Sequence, residues 1–162
     1  NLFTIDDVEN HPLFQLLLET MEQLCRAGNK QLVLRYFELH LLNEVGYRPQ
    51  LQQCVSCSLP LQPVTNSFSP SSGGMLCTNC SPGQPLTYPL SVNAQKVLRL
   101  LQNSDYAMVN RLKIDAELSF ELEKAMGGYL KYLLEREVKS AAWLDTLRKQ
   151  TREPSPNRAS LP

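Results

Sequence analysis

Residues 54–80 read CVSCSLPLQPVTNSFSPSSGGMLCTNC and contain two Cys-x-x-Cys pairs. Cys54 and Cys57 form the first pair, Cys77 and Cys80 form the second, and nineteen residues lie between the pairs. Each Cys-x-x-Cys turn presents two sulfurs from one small loop, so two such turns can supply the four thiolates of a tetrahedral Zn²⁺ site. A closed shell of four sulfurs leaves no position for water or substrate. The sequence therefore predicts a structural zinc ion bound by these four cysteines.

Other chemistries of paired cysteines fit this sequence less well. A thioredoxin-type redox pair needs a βαβ setting beside a helix N-terminus, and neither pair has one. Iron–sulfur clusters usually have tighter or different cysteine spacings. A thiol redox switch, in which oxidation of the cysteines releases zinc, stays open as an alternative.

The cysteine pairs lie in a segment with a composition of its own. Residues 54–95 contain no charged side chain and are rich in Pro, Ser, Gly and Cys. Residues 68–76 have the pattern strand, turn, strand, and Gly73 and Gly74 permit the tight turn. Because the segment has little apolar content, bound metal would supply much of its folding free energy. We predict an inserted zinc finger with a short β-hairpin over residues 54–90.

The flanking segments have helical periodicity and predict a mainly α fold, in which residues 1–53 and 91–149 form one helical domain. A first helix is predicted from about Asn10 to Gly28. A second, apolar on nearly all sides, is predicted from about Lys30 to Val45, with Gly46 as its left-handed C-terminal residue. The first helix is expected to bury a broad face, which consists of Leu13, Phe14, Leu16, Leu17, Leu18, Met21, Leu24 and Cys25.

Three further helices are predicted in the C-terminal part of the chain. Ser91 is suited to cap one helix, and Asp115 is suited to cap a longer one. Ser140 is expected to cap a separate short helix that ends near Arg148. Trp143 is a candidate for stacking on a nucleobase, but beside Leu144 and Leu147 it is expected to be a packing residue of that helix. The polar, proline-containing residues 150–162 are predicted to form a disordered tail.

Charge and hydropathy argue against several classes of function. The 162 residues include 16 bases and 16 acids, so bulk attraction does not favour nucleic-acid binding. No apolar run approaches the ~20 residues that a membrane helix needs, and the first residues lack the pattern of a signal peptide. The sequence contains no persuasive nucleophile, phosphate-binding loop or carboxylate pair, which argues against an enzyme with a small-molecule substrate. Reduced, metal-bound cysteines fit the cytoplasm.

A longer pattern surrounds and includes the cysteines. Residues 36–51 read YFELHLLNEVGYRPQL, residues 68–74 between the two pairs read FSPSSGG, and residues 139–144 read KSAAWL. In this combination with the two Cys-x-x-Cys pairs, the chain resembles the C-terminal part of the RecO family of bacterial DNA repair proteins. The resemblance covers about residues 10–148 and is far more specific than either cysteine pair.

This resemblance implies an all-helical region with an inserted zinc finger, and a non-enzymatic role in the response to DNA damage. Members of the family mediate homologous recombination. They bind single- and double-stranded DNA, anneal complementary strands, and engage RecR and the single-strand binding protein to load RecA. They act in the bacterial cytoplasm, at the nucleoid. The N-terminal OB-fold of the family has no counterpart in this sequence, so we expect DNA binding by the chain alone to be weakened or lost.

Two groups of bases are candidate contact residues. A candidate phosphate-contacting patch consists of Arg136, Lys139, Arg148 and Lys149, although a solvated helix end is the favoured explanation of these residues. A second group, suited to the rim of a pocket for the acidic tail of the single-strand binding protein, consists of Lys30, Arg35 and Arg48. Solvent-exposed basic residues on an amphipathic helix are the commoner explanation of this group. An alternative function is a zinc-stabilised protein-interaction module, or a thiol redox switch, without any role in repair.

Overall fold

The computed structural model describes residues 11–150, with side chains over residues 11–143. The described elements are α1 (His11–Arg26), α2 (Lys30–Glu44), β1 (Asn66–Ser69), β2 (Gly74–Leu76), β3 (Tyr88–Leu90), α3 (Val92–Asn103), α4 (Tyr106–Val109) and α5 (Ala116–Gln150). The predicted class, a helical fold with a small four-cysteine β element, is confirmed. Asn10, the predicted start of the first helix, and the predicted tail after Gln150 lie outside the described residues.

Helix α2 lies at the centre of the helical part and packs against α1, α3, α4 and α5. Its end follows the predicted C-capping pattern, because Gly46 has a φ of +81°. The Tyr47 N–H donates to the Leu42 carbonyl at 2.7 Å, and the Gly46 N–H donates to the Asn43 carbonyl at 3.2 Å. These two bonds satisfy carbonyls that a helix end leaves open, and they turn the chain sharply toward the zinc-finger segment.

The sheet is antiparallel, with the strand order β2-β1-β3. Phe68 of β1 lies opposite Met75 on one side and Tyr88 on the other. Strand β3 extends the hairpin predicted from the sequence. Phe68, Met75 and Leu90 belong to the same hydrophobic core cluster as the buried residues of the helices. The four-cysteine segment is therefore joined to the helical part by continuous apolar packing.

Polar contacts fix the starts of α3 and α5. The Ser91 side chain accepts from the Ala94 N–H, and the Asp115 side chain accepts from the Leu118 N–H, so both predicted caps are confirmed. Glu121 of α5 also accepts hydrogen bonds from the Ser91 N–H and the Ser91 hydroxyl. The carboxylate thereby ties the first turn of α3 to α5.

Helix α5 is one continuous helix of 35 residues, so the prediction of a break at Ser140 is wrong. The Ser140 hydroxyl donates to the Arg136 carbonyl one turn earlier, at 3.0 Å. A serine whose hydroxyl bonds in this way can remain inside a helix, and it then has no capping role. No helix within residues 11–150 combines the length and the apolar character that a bilayer crossing requires.

Helix α1 packs against α2 with one face only. Thr20 is its one fully buried residue, and the Thr20 hydroxyl bonds the Tyr106 hydroxyl of α4. The expected broad buried face is wrong in its outer half, where Phe14 is 60% exposed and Met21 is 59% exposed. Cys25, expected to be buried, is exposed as well. The apolar residues of α1 therefore occupy a wider arc of the helix surface than the neighbouring helices cover.

Candidate metal centre

Two backbone turns present the four cysteines. In the first turn, the Cys54 N–H donates to the Leu59 carbonyl at 2.9 Å and the Ser58 N–H donates to the Cys54 carbonyl at 2.8 Å. Ser58 has a φ of +60°, a conformation in which glycine is more usual. In the second turn, the N–H groups of Cys80 and Ser81 both donate to the Cys77 carbonyl, at 3.1 and 3.0 Å. Each turn therefore directs its pair of thiols to one side.

The free edge of β2 holds the first turn against the second. The Val55 N–H donates to the Met75 carbonyl, and the Met75 N–H donates to the Gln50 carbonyl, each at 2.9 Å. Gly74 permits this close approach, since a Cβ there would lie 2.6 Å from the Gln50 oxygen and 2.7 Å from Val55 Cγ1. The predicted strand and turn do bring Cys77 to the first cysteine pair, with Gly74 at the point of contact.

The four Sγ atoms of Cys54, Cys57, Cys77 and Cys80 all lie within 4.8 Å of one another. The Cys57 and Cys77 sulfurs, which come from different turns, are 3.9 Å apart. Sulfurs bound tetrahedrally at ~2.3 Å from Zn²⁺ are about 3.8 Å apart. All four thiols are free, and Cys54 is buried while Cys57 is exposed. The donor set and its spacing therefore fit a tetrahedral thiolate metal site.

The pKa values of two thiols in this cluster are shifted in opposite directions. Burial raises the pKa of Cys54, but hydrogen bonds from the backbone N–H groups of Cys57, Cys77 and Ser56 outweigh burial and lower that pKa to about 6. A hydrogen bond with the Ser56 side chain lowers the pKa of Cys80, but contacts with the other cysteines and burial raise that pKa to about 12. Cys54 therefore ionises easily, and negative charge on the neighbouring sulfurs disfavours the ionisation of Cys80. A divalent cation bound between the sulfurs would offset this repulsion.

Among the side chains described, over residues 11–143, this is the single group of three or more His, Cys, Asp or Glu residues arranged to hold a metal ion. His40 is not part of this group. The imidazole stacks on Tyr36, with ring centroids 4.0 Å apart, and Nε2 lies 3.1 Å from the Leu101 carbonyl. Burial lowers the pKa of His40, so the packed ring is favoured in its neutral form.

The predicted DNA-contacting bases lie along the C-terminal half of α5. Lys139 is exposed, and the Arg136 guanidinium lies over the Tyr47 ring, 5.1 Å from its centroid. The side chains of Arg148 and Lys149 lie outside the described ones. The contact between Tyr47 and Arg136 joins residues that are far apart in the chain, so local sequence did not predict it. The i, i+4 spacing of Tyr132 and Arg136 places these two residues on one face of the helix.

The structure does not bring the three predicted partner-binding bases together. Lys30 begins α2 and is exposed, whereas Arg48 follows the far end of α2 and donates to the side chains of Asn43 and Asn103. Arg35 is buried, 2.7 Å from Glu38. A buried arginine paired in this way cannot line an exposed rim. Whether Lys30 or Arg48 contacts a partner stays a prediction.

Two comparisons with known proteins agree with each other. The sequence profile of the family described as "Recombination protein O C terminal" matches residues 3–142. A DNA repair protein RecO from Dehalococcoides mccartyi is 43% identical over 146 residues, which is 90% of this chain and 57% of the relative. The protein of the same name from Roseiflexus is 40% identical over 151 residues, which is 93% of this chain and 53% of the relative. The one from Desulforamulus reducens is 30% identical over 147 residues. The chain thus spans little more than half the length of these relatives.

Proposed function

The chain belongs to the RecO family of DNA repair proteins, and on that basis we propose that it is a non-enzymatic mediator of homologous recombination. It binds DNA, RecR and the single-strand binding protein, promotes the annealing of complementary strands, and helps to load RecA. It acts in the bacterial cytoplasm, at the nucleoid. The observation that carries this proposal is the match over residues 3–142, which includes all four cysteines of the metal centre.

The metal of this mediator is Zn²⁺ with a structural role. Four thiolates are the preferred ligands of structural zinc, and such a shell has no open position at which a substrate could react. Residues 54–95 carry no charged side chain, so the finger itself has no cation to offer a phosphate group. The zinc finger therefore supports the helical surfaces, and the DNA contacts belong to charged residues outside it.

The DNA contacts assigned to this mediator are Arg136, Lys139, Arg148 and Lys149. The Arg136 side chain is 47% exposed, and Lys139 lies on the same helix, one turn further on. Exposed bases at this spacing can reach successive phosphates of a strand. Lys30 and Arg48, both exposed, are the remaining candidates for contact with the acidic tail of the single-strand binding protein.

Strand annealing tests this function directly. Complementary single strands are coated with single-strand binding protein, and the rate of duplex formation is measured with and without the chain and RecR. We expect faster annealing, and the acceleration should fall when the acidic tail of the single-strand binding protein is deleted. A rate that is unchanged at saturating chain, both alone and with RecR, would contradict the mediator role.

A second candidate function is supported by one specific contact. The exposed Cys57 sulfur lies 3.9 Å from the Cys77 sulfur, so a peroxide could oxidise this pair to a disulfide and thereby release the metal. Oxidation removes two electrons from the two thiolates, and the peroxide is reduced to water. Zinc release by mild peroxide, together with altered DNA or partner affinity, is the signature of such a redox switch. Metal that stays bound under these conditions rules it out.

A further inference from the structure

The C-terminal part of helix α5 leaves the core. Among the side chains described for this helix, up to residue 143, Leu133 is the last buried one, and every side chain from Leu134 to Trp143 is exposed. On one face of this segment, Tyr132, Arg136, Lys139 and Trp143 follow one another at intervals of four, three and four residues. Residues at this spacing align along a helix. We call these four residues the aromatic–basic stripe.

Contacts with the turn after α2 fix the inner end of this stripe. The Arg136 guanidinium lies 5.1 Å from the centroid of the Tyr47 ring, at cation–π distance. The Tyr47 hydroxyl donates to Glu137 at 2.6 Å, and the Tyr47 carbonyl accepts from the Tyr129 hydroxyl at 3.0 Å. An aromatic ring and a guanidinium are therefore held beside each other before any ligand arrives.

The outer end of the stripe is Trp143, which the sequence led us to expect as a packing residue. That expectation is wrong, because 64% of Trp143 is exposed. The free energy falls when a flat apolar partner covers a large planar ring that is exposed to water. Rings and cations that share one surface, as the two rings and two cations of the stripe do, are the arrangement with which proteins hold single-stranded nucleic acid, since nucleobases stack on the rings and phosphates pair with the cations.

We propose that the aromatic–basic stripe is a base-stacking site for single-stranded DNA, with Trp143 as its principal stacking residue. The proposal deepens the function proposed above and rests on it. The eleven-residue interval from Tyr132 to Trp143 spans about 16 Å at the rise of an α-helix. Base faces inside a duplex are already stacked on each other, so the stripe selects single strands.

The charge of this segment makes stacking the main source of affinity. Residues 132–143 include two basic residues, Arg136 and Lys139, and two acidic residues, Glu135 and Glu137. Glu137 already accepts from Tyr47 and lies 3.7 Å from the Arg136 guanidinium. Two phosphate contacts on a single strand correspond to a slope of log affinity against log salt of about −1.4. Binding at the stripe should therefore be only weakly sensitive to salt.

The same segment also has an apolar side that faces away from the stripe. Leu134 is 66% exposed and Val138 is 69% exposed, and their spacing from the stripe residues places them on the opposite part of the helix circumference. A protein partner that covers this end of α5 would use Leu134 and Val138. Substitutions at these two positions therefore separate protein docking from base stacking.

Trp143 is the single tryptophan of the 162 residues, so its fluorescence reports on the stripe alone. The chain is titrated with an unstructured oligothymidylate of about 15 nucleotides and, separately, with a duplex of the same length. We expect the single strand to quench the Trp143 emission and the duplex to leave it nearly unchanged. Fluorescence anisotropy of a labelled oligothymidylate gives the affinity of variants that lack the tryptophan.

The variants form matched pairs. Trp143→Ala should weaken binding of the single strand by roughly five- to a hundredfold, the loss of one stacked base, whereas Trp143→Phe should keep most of the affinity. Arg136→Ala and Lys139→Ala should each lower the salt slope by about 0.7. The controls are Lys131→Ala, which removes an exposed basic residue outside the stripe, and Leu134→Ala. Both should bind the single strand like the parent.

Two results would overturn the proposal, and they have different meanings. If the chain binds the single strand but Trp143 emission is unchanged and Trp143→Ala binds normally, the DNA lies elsewhere and the mediator function stands. If neither DNA is bound at low salt by a chain whose circular dichroism is that of the folded protein, both the stripe and DNA binding by this region are wrong. Equal losses in Trp143→Ala and Leu134→Ala would identify an unspecific helix surface and would also contradict base stacking.

Discussion

The Tyr88 ring fills the place of the side chain that Gly128 lacks. A Cβ built on Gly128 would lie closer than van der Waals contact to three atoms of the Tyr88 side chain, whereas a Cβ on the neighbouring Gly127 would meet no atom within 4 Å. Strand β3 is thereby seated directly on the backbone of α5. The two adjacent glycines therefore have opposite environments.

Gly128→Ala should destabilise the protein by about 1–3 kcal/mol, because the added methyl group forces the Tyr88 ring away from α5. Gly127→Ala is the matched control. It should stabilise the protein by roughly 0.5–1 kcal/mol, since alanine is the better residue in an exposed helix interior. Urea denaturation gives both free energies of unfolding. Equal shifts in the two variants would show that Tyr88 does not occupy this position.

Cys77→Ser should abolish metal binding and lower the free energy of unfolding by several kcal/mol, because a structural zinc site contributes its binding free energy to folding. The zinc content, measured on the purified chain, should fall from about one ion per molecule to none. Cys25→Ser is the control, as this exposed thiol lies outside the cluster. A full zinc content in Cys77→Ser would contradict the ligand assignment.

Gly74→Ala should loosen the metal centre without removing a ligand. The new methyl group would meet the Gln50 carbonyl and Val55, and the first of these is backbone that cannot rotate away. We expect a loss of about 2 kcal/mol or more in stability. A competing chelator should also take up zinc faster from this variant. Gly28→Ala, which adds a methyl group in open space, should leave chelation unchanged.

Stability should fall as the pH falls past the ordinary range of histidine, and His40 should account for part of the fall. Burial holds the pKa of folded His40 below that of the unfolded chain, which is about 6.5. The stabilising contribution of the neutral ring is therefore complete above the unfolded pKa and is lost as the pH approaches the lower folded pKa.

The free energy of unfolding, measured at about pH 7.5 and about pH 5.5, should differ less in His40→Gln than in the parent, because the glutamine does not titrate over that range. An identical difference in parent and variant would mean that His40 titrates alike in the folded and unfolded chains.

The features that the sequence predicted well depend on near neighbours. Gly46 ends α2 because the chain there needs a positive φ, and Ser91 and Asp115 cap their helices through N–H groups three residues away. The spacing of Cys54 and Cys57 within one turn belongs to the same class. In each case the physical cause lies within five residues of the signal.

The features that the sequence did not predict depend on how far neighbouring elements extend. Periodicity shows that α1 and α5 have apolar faces. It does not show that other helices cover only part of the apolar surface of α1, or that the core ends near Leu133. Cys25 and Trp143 were therefore expected inside and are found outside. Arg35 was expected at an exposed rim and is found buried beside Glu38, because other elements cover helix α2 on most sides.

Strand β3 could not be identified from local sequence either. It has three residues with Pro89 at the centre, and proline is disfavoured in strands. It pairs with β1 at a sheet edge, where proline is tolerated, and Tyr88 fits the notch at Gly128. Both reasons come from partners more than twenty residues away.

The shared core of finger and helices has a consequence for how the molecule melts. Phe68 and Met75 of the sheet pack in one cluster with Leu98 and Leu122 of the helices, and the Phe68 ring meets Tyr129 edge to face at 5.3 Å. A boundary between separately folding units would have to pass through that cluster. We therefore expect one calorimetric transition for the whole described region, with equal calorimetric and van't Hoff enthalpies. Loss of the metal would lower the temperature of that single peak and would not split it in two.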